Sequence, residues 1–456
     1  MTLTNFIKSL IDNYNQIQLK NNCSHLINKI IAAKKCQLWA ISEDKNEYNR
    51  FHRMMDGSLV NTIDTENINS SLLINSAHYF REKEYFIVAH DPSEIRKPHS
   101  KKTAELCLVK DFNGKLINGY KTHNSVVFNA KGKELRLLQT TPYSTNSTNY
   151  ISQEELKDFK KKKLTNPQRE QEISELLENG QWHNLKTITK QHTKSITDAI
   201  RAENPDAVIV DVYDRGFDDA EIFEFETELN NLFVIRAKLS RNSNELKITN
   251  DGKEQFVKLR NQQFFKSSKK HYSKVRFKNK TYCNLNGVFE YNYVEIKGKT
   301  YSVVRARIYT RKGQSIFEEP MLLITNMDIT FDQMAEMVFE IYMKRSKIEG
   351  VFKFCKDVLG WEEIQIPEFY TVKNLLSLVF FISGYFYEIE DELTKDPNIQ
   401  WLAEFGGGKG KITRYYILTG IARLISYNLT QQYIKEHKIT QQEIDEAVNK
   451  FTAHTE

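Results

Sequence analysis

The chain has 456 residues, of which 40% are hydrophobic and 12% aromatic, and its formal net charge is +6. That length and apolar share predict two to four domains with a sizeable core and exclude a disordered chain. The small basic excess only weakly favours a polyanionic partner, and the five scattered cysteines (Cys23, Cys36, Cys107, Cys283 and Cys355), with no CxxC pair, exclude a zinc ribbon or disulfide framework and suit a reducing cytosol.

The first residues, Met1 to Gln16, lack the unbroken apolar run of a signal peptide. The best candidate for a membrane span, Leu375 to Tyr385, is too short to cross a bilayer. A soluble, cytoplasmic protein with no membrane partner is expected. Residues 1–80 form a predicted helical N-terminal region, because Leu3, Phe6, Ile7 and Leu10, then Leu26, Ile27, Ile30 and Ile31, repeat at helical spacing. With Lys29, Lys34, Lys35, Arg50 and Arg53 on it, the region is either a solvated bundle or a DNA-contacting module.

Residues 81–240 change period. Tyr85 to Ala89 is a short apolar run ending in His90-Asp91-Pro92-Ser93, the pattern of a strand buried on both faces. Strands at 106–109, 125–128 and 135–139 predict an antiparallel meander. A polar stretch at 143–166 precedes helical pattern at 169–177 and 182–202. Ala207 to Val210, closing on Asp211-Val212-Tyr213-Asp214, then a helix at about 217–229 and a strand at 232–236, predict parallel pairing. Residues 241–318 alternate in short runs broken by turns such as Ile296-Lys297-Gly298-Lys299 and predict a β-rich insertion. Residues 319–400 return to apolar strand and helix: Met321 to Thr325, a capping box of Thr330 with Gln333, a long helix and an amphipathic helix at 367–395. Residues 401–456 form a C-terminal helical region, entered through the glycine-rich link Ala403 to Gly410 and offering a surface for oligomerisation. The fold class is mixed α/β.

The long helix carries the chemistry. Tyr342, Arg345, Glu349 and Lys356 fall within an arc of about 60° on an ideal helix. An ordinary ion pair of Arg345 with Glu349 is the plain reading. Asp91 and Asp214 each end a predicted strand, where active sites of sheets with parallel strands gather. Two aspartates and a glutamate brought together repel unless a cation binds. Hard oxygen ligands select Mg²⁺ or Mn²⁺, and two such ions support in-line phosphoryl transfer.

Tyr342, Arg345, Glu349 and Lys356 complete the spacing Tyr-x2-Arg-x3-Glu-x6-Lys, which resembles the signature of a large group of bacterial insertion-sequence transposases of the DDE type. Asp214-Arg215-Gly216-Phe217-Asp218 followed by Phe233 to Lys238 is similar to the group's second-aspartate block. Tyr85 to Ser93 resembles its first, and Leu322 to Asn326 the strand before its signature helix. The likeness covers roughly residues 80–395. It implies a ribonuclease-H-like core, with Asp91, Asp214 and Glu349 as catalytic metal ligands for Mg²⁺ or Mn²⁺, two ions per site. It also implies Tyr342, Arg345 and Lys356 as contacts to DNA phosphates. The implied reaction is cut-and-paste transposition on double-stranded DNA, both terminal inverted repeats and target, by a homodimer bridging two ends in the bacterial nucleoid. Asp211 competes with Asp214 as second ligand; Arg-Gly-Phe-Asp after Asp214 favours the latter. Some members fill the gap left by a flipped base with a tryptophan of the insertion. Trp39, Trp182, Trp361 and Trp401 all lie outside it, which leaves Phe265, Tyr272 or Tyr291 for that task and makes Trp182 and Trp361 expected core residues.

No acidic residue occurs from Gln255 to Phe289, whereas Lys258, Arg260, Lys266, Lys269, Lys270, Lys274, Arg276, Lys278 and Lys280 do. A one-sign block interleaved with aromatics predicts DNA phosphate contacts for the insertion, and six such contacts give a log-affinity against log-salt slope of roughly −5. A catalytically inactive DNA-binding protein from a degenerate element, and a nuclease on the same fold, are the alternatives.

Overall fold

The computed structural model describes residues 2–58, 62–101, 103–248, 254–264, 266–277, 280–392 and 397–445. Of the positions singled out above, Phe265 and Lys278 lie outside them, as do the side chains of Arg276 and Lys280.

Five helices open the chain: α1 (Leu3–Ile11), α2 (Ile17–Ala33), α3 (Leu38–Ile41), α4 (Lys45–Arg53) and α5 (Thr65–Glu82). Short polar side chains start three of them. Thr2, Asp44 and Asp64 accept from the backbone N–H groups of Asn5, Glu47 and Asn67, satisfying donors that the first helical turn leaves free. Their apolar faces join the main core: Phe6 packs on Phe381 and Tyr385 at ring separations of 4.7 and 5.5 Å. Lys29 is buried and paired with Glu43 and Glu47. The N-terminal region is therefore part of the central body and not a separate module.

The central sheet is built from β1 (Tyr85–Arg96), β2 (Cys107–Lys110), β3 (Leu116–Asn129), β4 (Arg136–Tyr143), β5 (Val208–Tyr213), β6 (Leu232–Arg236), β9 (Lys266–Phe277), β10 (Lys280–Ile296), β11 (Lys299–Tyr309) and β12 (Met321–Thr325). Its order is β2-β3-β1-β5-β6-β12-β11-β10-β9, with β4 also beside β3. β1 pairs parallel with β5 and β5 with β6; the other pairings are antiparallel. The expected meander is thus centred on β3, which bonds β1 on one side and both β2 and β4 on the other. β7 (Asn242–Ile248) and β8 (Glu254–Lys258) form a small sheet of their own. The insertion is β-rich as expected, but β9, β10 and β11 extend the central sheet through β12. Lys297 and Gly298 take φ of 51° and 75°, the left-handed pair that a two-residue hairpin turn demands, and so close β10 onto β11.

Helices cover both faces. On one lie α10 (Asp332–Lys344), α11 (Lys347–Asp357) and α12 (Phe369–Glu392), packed with the N-terminal helices against Ile87, Ala89, Val210, Val212, Val234 and Leu323. On the other lie α8 (Leu185–Glu203) and α9 (Ala220–Glu228), while α6 (Gln153–Lys160) and α7 (Pro167–Glu178) lie at the periphery. α12 is long and apolar enough to cross a membrane, but 83% of its most apolar window is buried inside the protein. It is the core helix. Trp361 is fully buried there, its Nε1 donating to the Leu376 carbonyl; Trp182 is only half-buried. α13 (Pro397–Phe405) and α14 (Arg414–Glu436) follow. The two helices cross closely at glycines: a Cβ on Gly406 would sit 1.9 Å from the Tyr416 carbonyl oxygen, and one on Gly420 2.1 Å from that of Leu402.

Candidate active site

Strand alternation decides which side chains face α10 and α11. The parallel pairing of β1 and β5 ends at His90 opposite Tyr213. Asp91 and Asp214 are the next residues on each chain. Asp214 lies just past β5, as expected. β1, however, continues to Arg96 by pairing with β3, so Asp91 lies inside a strand. It is the first residue beyond the parallel partner, and that, not a chain end, opens the space above it. Asp211 points to the opposite face, 1% exposed, where His90 Nε2 lies 2.8 Å from Oδ1 and Asn231 Nδ2 donates to Oδ2 at 2.9 Å. Asp214 and not Asp211 therefore shares a face with Asp91.

The signature helix is two helices. α10 ends at Lys344 and α11 starts at Lys347. Across the break the backbone bonds shorten to three-residue steps: Arg345 N–H to Tyr342 C=O, Ile348 to Arg345 and Glu349 to Ser346, at 3.0, 3.1 and 3.2 Å. Ser346 Oγ also donates to the Met343 carbonyl at 3.0 Å, a local bond that competes with the helical ladder. Such a tightened step re-aims the side chains on either side of it. The predicted capping box is absent too: Phe331 is the N-cap, without a side-chain bond, and the Thr330 hydroxyl contacts Met334 Sδ.

Residues distant in sequence converge at this break. Arg345 Nη1 lies 2.7 Å from Asp91 Oδ2, and its Nη2 lies 4.0 Å from Glu349 Oε1. The Tyr342 hydroxyl donates to Asp214 Oδ1 at 2.9 Å. Arg236, at the end of β6, lies 4.0 Å from the same oxygen. Burial, with the neighbouring Asp214 and Glu349 carboxylates, pushes Asp91 up to about 7 against the pull of Arg345. Asp214 is partly desolvated as well, but Arg345, the Arg215 N–H, Tyr342 and Arg236 hold it below the usual carboxylate range. Burial and the Asp214 charge push Tyr342 up to about 12, so it stays a donor at neutral pH.

Asp91 and Asp214 are partly desolvated while Glu349 stands 58% exposed beside them, and carboxylates withdrawn from water side by side need positive charge among them. Here the Arg345 guanidinium supplies it. As a donor set, oxygen-only carboxylates suit a small hard divalent ion. Among the described residues, no group of three acidic, histidine or cysteine side chains is drawn together tightly enough to hold a metal ion.

The remaining predicted residues have other partners. Lys356 donates to the Glu94 carbonyl at 2.6 Å and pairs with Glu362 at 3.3 Å; seven residues beyond Glu349, it fastens α11 to β1. Lys270 pairs with Glu340 and Glu336 of α10 at 2.7 and 3.6 Å. Lys266 lies over the Tyr291 ring. Lys269 and Lys274 are exposed. Tyr272 and Tyr291, candidates for occupying a flipped-base gap, donate to Glu340 and Asp332 and hold α10 to the sheet. Arg236 escaped the sequence reading, although its position at the end of an apolar strand beside the second aspartate was a usable signal. Comparison with models of protein families and with curated proteins returned no match for this chain.

Proposed function

We propose that the chain is a DDE-type transposase: a metal-dependent phosphoryl-transfer enzyme that cleaves and joins DNA strands at the ends of an insertion sequence. One observation carries the reading. Arg345 reaches both Asp91 of β1, at 2.7 Å, and Glu349 of α11, at 4.0 Å, while Tyr342, three residues before it, holds Asp214 at the end of β5 at 2.9 Å. A mixed sheet with this cluster at the end of its parallel pair supports the ribonuclease-H-like core that the resemblance implies.

In this reading the three carboxylates hold Mg²⁺ or Mn²⁺, which when bound supplies Lewis-acid stabilisation of an in-line displacement at phosphorus. The chain's own work is positioning. Arg345 presents a planar fork suited to phosphate oxygens, and Tyr342 a neutral hydroxyl donor. Lys356 holds α11, and with it Glu349, against β1. The exposed lysines of β9 supply charge for the flanking duplex.

The test is nicking of duplex DNA carrying the terminal inverted repeats that flank the coding sequence, with Mg²⁺ and with EDTA. Wild type should nick only with the metal. Glu349→Gln should bind the DNA with unchanged affinity and nick at least roughly a hundredfold more slowly. Loss of binding and nicking together would make Glu349 a structural residue and remove the proposal's central ligand.

A further inference from the structure

The three carboxylates proposed as ligands are not free. Arg345 sits between Asp91, at 2.7 Å, and Glu349, at 4.0 Å, and Tyr342 holds Asp214 at 2.9 Å. The side chains that occupy the carboxylates are those assigned above to DNA phosphate. Arg345 is only 13% exposed, and its Nε is buried without a hydrogen-bond partner, so its donors are only partly used where it lies. A guanidinium and a divalent ion cannot share the same carboxylate oxygens, since both are cations seeking the same lone pairs. One must leave for the other to enter.

The helix break offers a route. Arg345 is the residue at which α10 ends and α11 has not begun, held by three-residue bonding steps to Tyr342 and Ile348. A change of side-chain rotamer there re-aims the guanidinium without moving either helix. The guanidinium fork fits phosphate as well as it fits carboxylate.

On the reading of this site as a divalent-metal centre, we infer that Arg345 is a built-in counter-ion that occupies the cation's place while no DNA is bound. Phosphate draws the guanidinium off Asp91, and the divalent ion takes its place. Metal and DNA binding are then coupled, and each raises the affinity of the other by the same factor. The free enzyme is thereby kept poorly loaded with metal, and metal binds well only beside DNA.

The experiment is a Mn²⁺ titration of the full chain without DNA, free Mn²⁺ being read by electron paramagnetic resonance, for wild type, R345Q, R345K and E349Q. Melting curves in EDTA and in Mn²⁺ report folding. Removing the competing charge should make R345Q bind Mn²⁺ at least roughly tenfold more tightly than wild type, with R345K between them because an ammonium cannot span both carboxylates. R345Q should also melt lower than wild type in EDTA and gain more from Mn²⁺. If R345Q is folded and binds Mn²⁺ no more tightly than wild type, while E349Q abolishes binding, the metal site stands and the counter-ion role falls. If wild type and R345Q bind no Mn²⁺ with or without duplex DNA, the metal reading fails and takes this inference with it. Should R345Q not fold, R345K decides: tighter binding than wild type supports the role, and equal or weaker binding overturns it.

Discussion

His123 has neither ring nitrogen hydrogen-bonded and no exposure, and it stacks on His90 at 6.0 Å beside His192. Burial first, and His90 second, lower its pKa well below 6.5. The sign of the effect follows. The unfolded chain protonates this imidazole as pH falls through about 6.5 while the folded one does not, so acidification favours unfolding. His123→Leu, close in volume and apolar, should change stability at pH 7.5 by less than about 1.5 kcal/mol. Between pH 6.5 and 5 its loss of stability should be shallower than that of wild type, by a margin that rises toward about 1.4 kcal/mol per pH unit at the acid end. Urea unfolding at several pH values checks this; parallel pH curves for the two proteins would contradict it. The same neighbourhood shows what single residues reveal beforehand. Asp214 was legible because Arg-Gly-Phe-Asp follows it. The partner of Asp91 was not, because a guanidinium's choice between carboxylate and phosphate depends on folded distances that spacing along a chain does not contain.

β9 carries its lysines on two faces, and their partners differ. Lys270 turns to α10 and is neutralised by Glu336 and Glu340. Lys269, one residue away, projects from the other face and is exposed. Sequence composition shows a single block of one sign and cannot see that a helix some seventy residues later brings carboxylates to one of its lysines. Lys269→Ala should therefore flatten the salt dependence of DNA affinity by about 0.9 in slope, the share of one phosphate contact. Lys270→Ala should leave the slope unchanged. Fluorescence anisotropy across a salt series measures both, and the reverse ranking would contradict the assignment of faces. Helix α10 into α11 teaches a related lesson. The apolar repeat of Met334, Val338, Ile341, Ile348 and Phe352 runs through the break without a fault, so periodicity predicted one rod. The three-residue bonding steps at Arg345 and Ser346 leave that repeat intact while turning Arg345 toward Asp91. A break of this kind carries neither proline nor glycine to announce it.

For the molecule as a whole, hydrophobic pattern gave the mixed α/β class, the parallel β5-β6 pair and the β-rich character of residues 241–318. It did not give how these parts join. The N-terminal helices share a core with α12, and β9 to β11 continue the central sheet, because which apolar faces meet is settled only when all of them are present. The consequence for function is that Asp91, Asp214 and Glu349 stand on one continuous scaffold of sheet and core helices, so their geometry is inherited from the whole fold. The most direct measurement is anomalous diffraction from crystals of the protein with duplex DNA and Mn²⁺. The account predicts a manganese peak bounded by the carboxylates of Asp91, Asp214 and Glu349, with Arg345 turned onto a phosphate. Crystals with DNA bound, manganese elsewhere or nowhere, and Arg345 still against Asp91 would contradict it.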